Sequence, residues 1–202
     1  MKNHLKEGDG RSKNNYKKNI FGVGFTGTGK YNSSKDKIAY DIWRGIIRRC
    51  YSDEKRKNEI MYLDCYVCEE WHSFQVFADW FYENQIIGFD IDKDLLFKGN
   101  KIYSPETCCF LPRSINSLFV IQKSKRNNGI IGVTKNGNKY SSMVKIKNNP
   151  IYLGNFINQE LAFLAYKKAK EDNIKNIANE FKPFITEKVF NAMINYKVEI
   201  TD

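Results

Sequence analysis

Apolar residues recur at three- and four-residue spacing over 36–51, at Ile38, Ile42, Trp43, Ile46, Ile47 and Cys50. A single stripe of that period predicts an α-helix that buries one face. The spacing returns over 71–83 with Phe74, Phe77, Trp80 and Phe81, predicting a second helix whose aromatic face is core. Between the two, a charged connection at 53–58 leads into a short strand over 60–67. At Phe89 the period changes to two: Phe89 and Ile91 alternate with Asp90, Asp92 and Asp94, which predicts a strand with three carboxylates on one face. The chain turns at Lys98-Gly99-Asn100 and returns through Ile102 and Tyr103. It then bends at Ser104-Pro105-Glu106, and Pro112 opens a short helix over 113–119. Strand, turn, strand, helix is the expected outline of 89–119.

A different rhythm follows. Residues 122–129, QKSKRNNG, hold no apolar side chain and read as a linker. Strands are expected over 129–134, 139–147 and 151–153, with a hairpin turn at Asn136-Gly137 and a second turn at Asn148-Asn149-Pro150. Asn158 is a good N-cap for a helix carrying Leu161, Leu164, Ala165 and Ala169 and running toward Phe181. Pro183 ends it, and Thr186 caps a last helix with Val189, Phe190, Met193 and Ile194. The fold class is α+β. The expected organisation is a basic flexible arm at 1–19, a first module at 20–121, the linker, and a second module at 130–202.

Charge sharpens this picture. The 202-residue chain carries a net charge of +10, split as +8 over 1–60, −5 over 61–121 and +7 over 122–202. A basic chain with one acidic middle suits a polyanion partner, with a cation in the middle. No apolar run reaches membrane-spanning length, and residues 1–18 lack the apolar centre of a secretory signal, so a cytoplasmic protein is expected with no membrane partner. The five cysteines, Cys50, Cys65, Cys68, Cys108 and Cys109, read as buried thiols. Cys65-x-x-Cys68 has no good second half, which argues against a structural zinc. Gly24–Lys30 spells the core of a phosphate-binding loop, but Tyr31 stands where that loop needs Ser or Thr. A glycine-rich hairpin is expected instead. The clustered Asp90, Asp92 and Asp94 repel one another unless a hard divalent cation such as magnesium (or manganese) sits among them.

Val67-Cys68-Glu69-Glu70-Trp71, Ser73-Phe74, Phe77, Ile91-Asp92-Lys93, Gly99-Asn100 and Tyr103-Ser104-Pro105-Glu106-Thr107-Cys108 together resemble the phage-borne HNH endonucleases, often homing-type, over about 40–119. The resemblance implies a strand-strand-helix unit gripping one divalent metal and a DNA phosphate. It implies Asp92 as metal ligand at the end of the first strand, with Asp94 or Thr107 completing the coordination. The position after Asp92, usually a His general base, is Lys93 here and would stabilise charge on the phosphate. Thr107 stands where the second ligand is usually Asn or His. Asn100 and Asn116 would orient groups or touch backbone, and Arg44, Arg48, Arg49 and Arg113 would grip phosphate. Apart from His4, His72 is the one imidazole in the chain, and a partly exposed place at a helix end suits it.

Gly132-Val133, Lys139-Tyr140, Tyr152-Leu153-Gly154-x-Phe156 and Ala162-x-x-Ala165-Tyr166 resemble the Apetala-type DNA-binding domain over about 130–172. The resemblance implies a three-stranded sheet on a helix, contacting DNA through Lys135, Lys139, Tyr140, Lys145 and Tyr152. Lysine at these positions suits phosphate better than bidentate contacts to guanine. The expected function is a metal-dependent endonuclease of phage or mobile-element type acting on double-stranded DNA, with a homodimer or two sequential events needed to cut both strands. The alternative is a catalytically inactive DNA-binding protein on the same scaffold, such as a phage regulator or an inhibitor of a host nucleic-acid-targeting defence with a host protein as target. Lys93 and Thr107 are its support.

Overall fold

The computed structural model describes residues 15–54, 62–119 and 129–202, and the chain divides into two compact units, 1–110 and 111–202. Most of the expected arm (1–14), residues 55–61 of the stretch between the first helix and the first strand, and the expected linker except Gly129 lie outside the described residues. The fold mixes helix and strand and includes a three-stranded antiparallel sheet packed on a helix.

In the first unit, α1 (Lys37–Tyr51) leads through β1 (Tyr66–Val67) and a 3-10 turn (Glu69–His72) to α2 (Phe74–Asn84). Then come β2 (Phe89–Asp92), β3 (Ile102–Tyr103) and β4 (Cys109–Pro112), whose first two residues complete the unit. The core is aromatic: Trp43, Trp71, Phe74 and Phe77 are fully buried, with Phe81 and Phe110 beside them. Burying each such ring stabilises the unit by about 1.5–3 kcal/mol. Trp43 Nε1 donates to the Trp71 carbonyl at 2.7 Å, which locks α1 onto the segment before α2.

Two expectations for these helices change. Ile38 is 71% exposed, and Ala39, fully buried, takes its place on the stripe. At about 100° per residue, position 38 has already rotated off the line set by Trp43, Ile46, Ile47 and Cys50. The helix expected over 71–83 breaks at Ser73, because Ser73 pairs with Phe25 across the chain: the Phe25 amide donates to the His72 carbonyl at 2.9 Å and the Phe74 amide to the Phe25 carbonyl at 3.0 Å. The glycine-rich segment closes on itself, with reciprocal Ile20–Gly24 amide bonds of 3.0 and 2.9 Å. A Cβ on Gly24 would lie 3.0 Å from the Trp43 ring, so this loop needs glycine for close approach.

The strand pairing also departs from expectation. β2 pairs with β4, whereas β3 pairs in parallel with β1 in the register Tyr66↔Ile102 and Val67↔Tyr103. The anticipated hairpin between 89–92 and 102–103 does not form, because 93–101 is folded into a braced loop that sends β3 elsewhere.

The second unit begins with α3 (Arg113–Phe119), followed by β5 (Val133–Asn136), β6 (Lys139–Ile146), β7 (Asn149–Phe156), α4 (Gln159–Phe181) and α5 (Glu187–Ile194). The sheet has the order β5-β6-β7, all antiparallel. Its second turn is Lys147-Asn148, both at positive φ (47° and 69°), one residue earlier than the expected Asn148-Asn149-Pro150. β7 is correspondingly longer, and Pro150 is tolerated because β7 is an edge strand. α4 starts where Asn158 Oδ1 accepts the Leu161 amide at 2.9 Å, and α5 where Thr186 Oγ1 accepts the Val189 amide at 3.3 Å. Val144, Phe163, Tyr166 and Val198 form the core between sheet and helix. Among the described residues no helix is long and apolar enough to cross a membrane.

Candidate functional site

The loop after β2 is organised by two polar side chains, Asp92 and Asn100. Asp92 ends the strand, and its Oδ1 accepts the amides of Asp94 at 2.9 Å and Leu95 at 2.8 Å, which reverses the chain. Burial raises the carboxyl pKa, against the two amide bonds that favour its charged form. Asn100 spans the loop base: its Nδ2 donates to the carbonyls of Lys93 (2.8 Å) and Ile102 (2.6 Å), and its Oδ1 accepts the Ile102 amide at 3.1 Å. Between them lies Lys93, 6% exposed, whose Nζ donates to Asp94 Oδ1 at 2.6 Å and to the Asn100 carbonyl at 3.0 Å. The Tyr103 ring centroid is 5.8 Å from the same ammonium. Burying an ammonium is costly, and these partners offset that cost.

The strand ends at Asp92, so Asp94 is not on the strand face predicted for it; it lies in the loop as the ion-pair partner of Lys93. Thr107 Oγ1 is committed as well, donating to the Ile102 carbonyl at 2.8 Å and accepting the Ser104 amide at 3.2 Å. Magnesium takes six oxygen ligands. Two amides occupy Asp92 Oδ1, and the Lys93 ammonium meets Asp94 Oδ1. No group of three or more His, Cys, Asp or Glu side chains among the described residues is arranged to hold a metal. As folded here, Asp94 and Thr107 are engaged by Lys93 and by backbone groups, and the cation beside Asp94 is Lys93.

The expected phosphate-gripping arginines diverge. Arg49 is half-buried and hydrogen-bonds the Tyr103 hydroxyl, Arg44 lies 5.5 Å over the Phe21 ring, and Arg48 is exposed. Arg113 and Asn116 both ride on α3 in the second unit, the first exposed and the second half-buried. His72 Nε2 is buried with no hydrogen-bond partner among the described residues, and Tyr51 meets the imidazole edge-on at 6.0 Å. Burial, with help from Lys18, lowers its pKa.

In the second unit the sheet register sorts the expected DNA contacts by face, since paired residues share a side. Ser142 and Val144, both buried, mark the face under α4. Lys139, Ser141, Met143 and Lys145 alternate onto the opposite face, joined by Tyr152 opposite Met143 and Asn155 opposite Ser141. Ser141 Oγ donates to Asn155 Oδ1 at 2.7 Å across that face. Lys135 pairs with Tyr140, and both fall on the α4 side of the sheet. Three of the five expected contacts therefore share one open face, and two do not. Met143, 49% exposed beside Tyr152 at 57%, belongs to that face and was missed, although the alternation within 139–147 already placed it there.

None of the five cysteines forms a disulfide among the described residues. Burial pushes Cys68 up to about 11 and Cys108 up to about 12, which keeps both thiols protonated. No protein-family model matches the chain, and neither does any curated protein or solved structure.

Proposed function

We propose that this protein binds double-stranded DNA without cleaving it, using a strand-loop-strand-helix scaffold of the HNH kind in which a lysine has replaced the metal. The observation that carries the reading is Lys93, a buried ammonium 2.6 Å from Asp94 Oδ1, in the loop where the resemblance puts a divalent cation and an imidazole base. A protonated amine cannot accept a proton, and it opposes entry of a second cation by charge repulsion. DNA affinity would come from the basic C-terminal unit, whose open sheet face presents Lys139, Lys145 and Tyr152 with no acidic residue among its strands. Lysines on such a face meet phosphates and give binding that weakens steeply with salt.

A rival reading, the metal-dependent endonuclease, is supported by the position of Asp92 at the end of β2, with one carboxylate oxygen open, ahead of β4 and α3. One experiment separates the two. Supercoiled plasmid and the cognate host or phage genome are incubated with the full chain and magnesium or manganese, with EDTA and Asp92→Ala as controls, and binding is titrated against salt in parallel. Salt-sensitive binding without nicking supports the binding protein. Nicking that needs both the metal and Asp92 overturns it in favour of the nuclease.

A further inference from the structure

The braced loop 93–101 has an apolar tip in water. In the run Leu95-Leu96-Phe97, Leu95 is 4% exposed whereas Phe97 is 54% exposed. The Asn100 amide donates to the Phe97 carbonyl at 2.9 Å, closing a tight turn in which Gly99 holds φ +77°, a conformation that suits glycine. The bonds from Asn100 and Lys93 described above hold this turn from within. A single exposed apolar residue is ordinary. What sets this one apart is its charge setting. Residues 61–121 contain nine acidic side chains and four basic ones, and three of the four basic ones, Lys93, Lys98 and Lys101, fall within 93–101. Lys98 and Lys101 are both exposed. An aromatic ring on a stiff turn, flanked by exposed cations inside an otherwise acidic stretch, matches the chemistry of a strand with stacked bases and phosphates.

We propose that Phe97 is a base-stacking element: its ring packs on a DNA base lying out of the helical stack, while Lys98 and Lys101 meet the flanking phosphates. This rests on the DNA-binding reading and deepens it by naming the DNA feature taken, an unstacked base. Stiffness matters here because a turn already ordered loses little conformational freedom when the ring docks.

The test uses the full chain with three fluorescent probes: a fully paired duplex, the same duplex with a one-nucleotide 2-aminopurine bulge, and the single strand. The wild type is expected to prefer the bulged duplex and to quench 2-aminopurine on binding. Phe97→Ala is expected to weaken bulge binding about 5- to 100-fold and abolish the quench, while affinity for the paired duplex stays within about twofold. Phe97→Trp should retain both preference and quench, which excludes misfolding as the cause, and Lys98→Gln should lower the salt dependence. Salt-sensitive duplex binding in which Phe97→Ala changes neither preference nor quench overturns the stacking role and leaves the DNA-binding reading intact. Absence of salt-sensitive binding by the wild type to any probe overturns both, and points to a protein surface as what Phe97 meets.

Discussion

Lys93 Nζ and Asp94 Oδ1 are 2.6 Å apart, yet the two side chains live in different surroundings, at 7% and 51% exposure. Removing either one therefore has a different consequence. Without Lys93, the Asp94 carboxylate is solvated by water. Without the Asp94 charge, the ammonium stays buried with the Asn100 carbonyl as its remaining hydrogen-bond partner among the described residues. Asp94→Ala is expected to destabilise the protein by about 2 kcal/mol, and Lys93→Met, which keeps the packing volume, by less than about 1 kcal/mol. Urea unfolding of the two variants measures the order; if Lys93→Met proves the costlier, Lys93 is not held mainly by its charge.

Asp92 makes a structural contribution whatever its chemistry. Asp92→Ala loses the acceptor of two backbone amides and should cost about 1–2 kcal/mol, whereas Asp92→Asn keeps an oxygen there. Burial raises this carboxyl above its unfolded value, so its contribution is fully present below the unfolded pKa and is lost as pH rises through the folded one. Asp92→Asn should accordingly gain stability relative to wild type between pH 3.5 and pH 7. A difference that is flat with pH would show the carboxyl to be unperturbed.

His72 predicts the opposite slope. Its pKa is lowered from 6.5 by burial, so the folded state resists protonation while the unfolded chain accepts it. The wild type should hold its stability above pH 6.5 and lose part of it as pH falls through the folded value. His72→Gln should remove that part of the acid decline, read as the change in denaturation midpoint between pH 7.5 and pH 5.5.

The two faces of the sheet give a functional prediction. Lys139→Ala and Lys145→Ala should each weaken DNA binding and reduce the slope of log affinity against log salt by about 1. Lys135→Ala, on the α4 side, should leave the slope unchanged. Anisotropy titrations across a salt series decide it, and equal effects from all three would mean that no single face meets DNA.

Gly132 sits under Tyr166: a Cβ there would lie 2.0 Å from the ring, at φ +72°. Gly132→Ala should cost about 2–4 kcal/mol, since both the ring and the backbone must shift. Gly137→Ala, at φ +58° with open space around it, should cost about 1 kcal/mol. Thermal melts of the pair separate the clash from the backbone strain.

What the sequence determined by itself is what depends on near neighbours. The stripe of α1, the aromatic face of α2, the caps at Asn158 and Thr186 and the antiparallel run of β5, β6 and β7 all follow from spacings of a few residues, because helix period, strand alternation and capping are local. Tertiary structure decided what depends on distant partners. Phe25 breaks a helix at Ser73, and β4 takes the place beside β2 expected for β3. The site divides the same way. Its acidic and basic residues were legible in order, but the burial of Lys93 against Asp94 and Asn100 was not, since alternation says which side of a strand a residue takes and nothing of a loop that folds back over it.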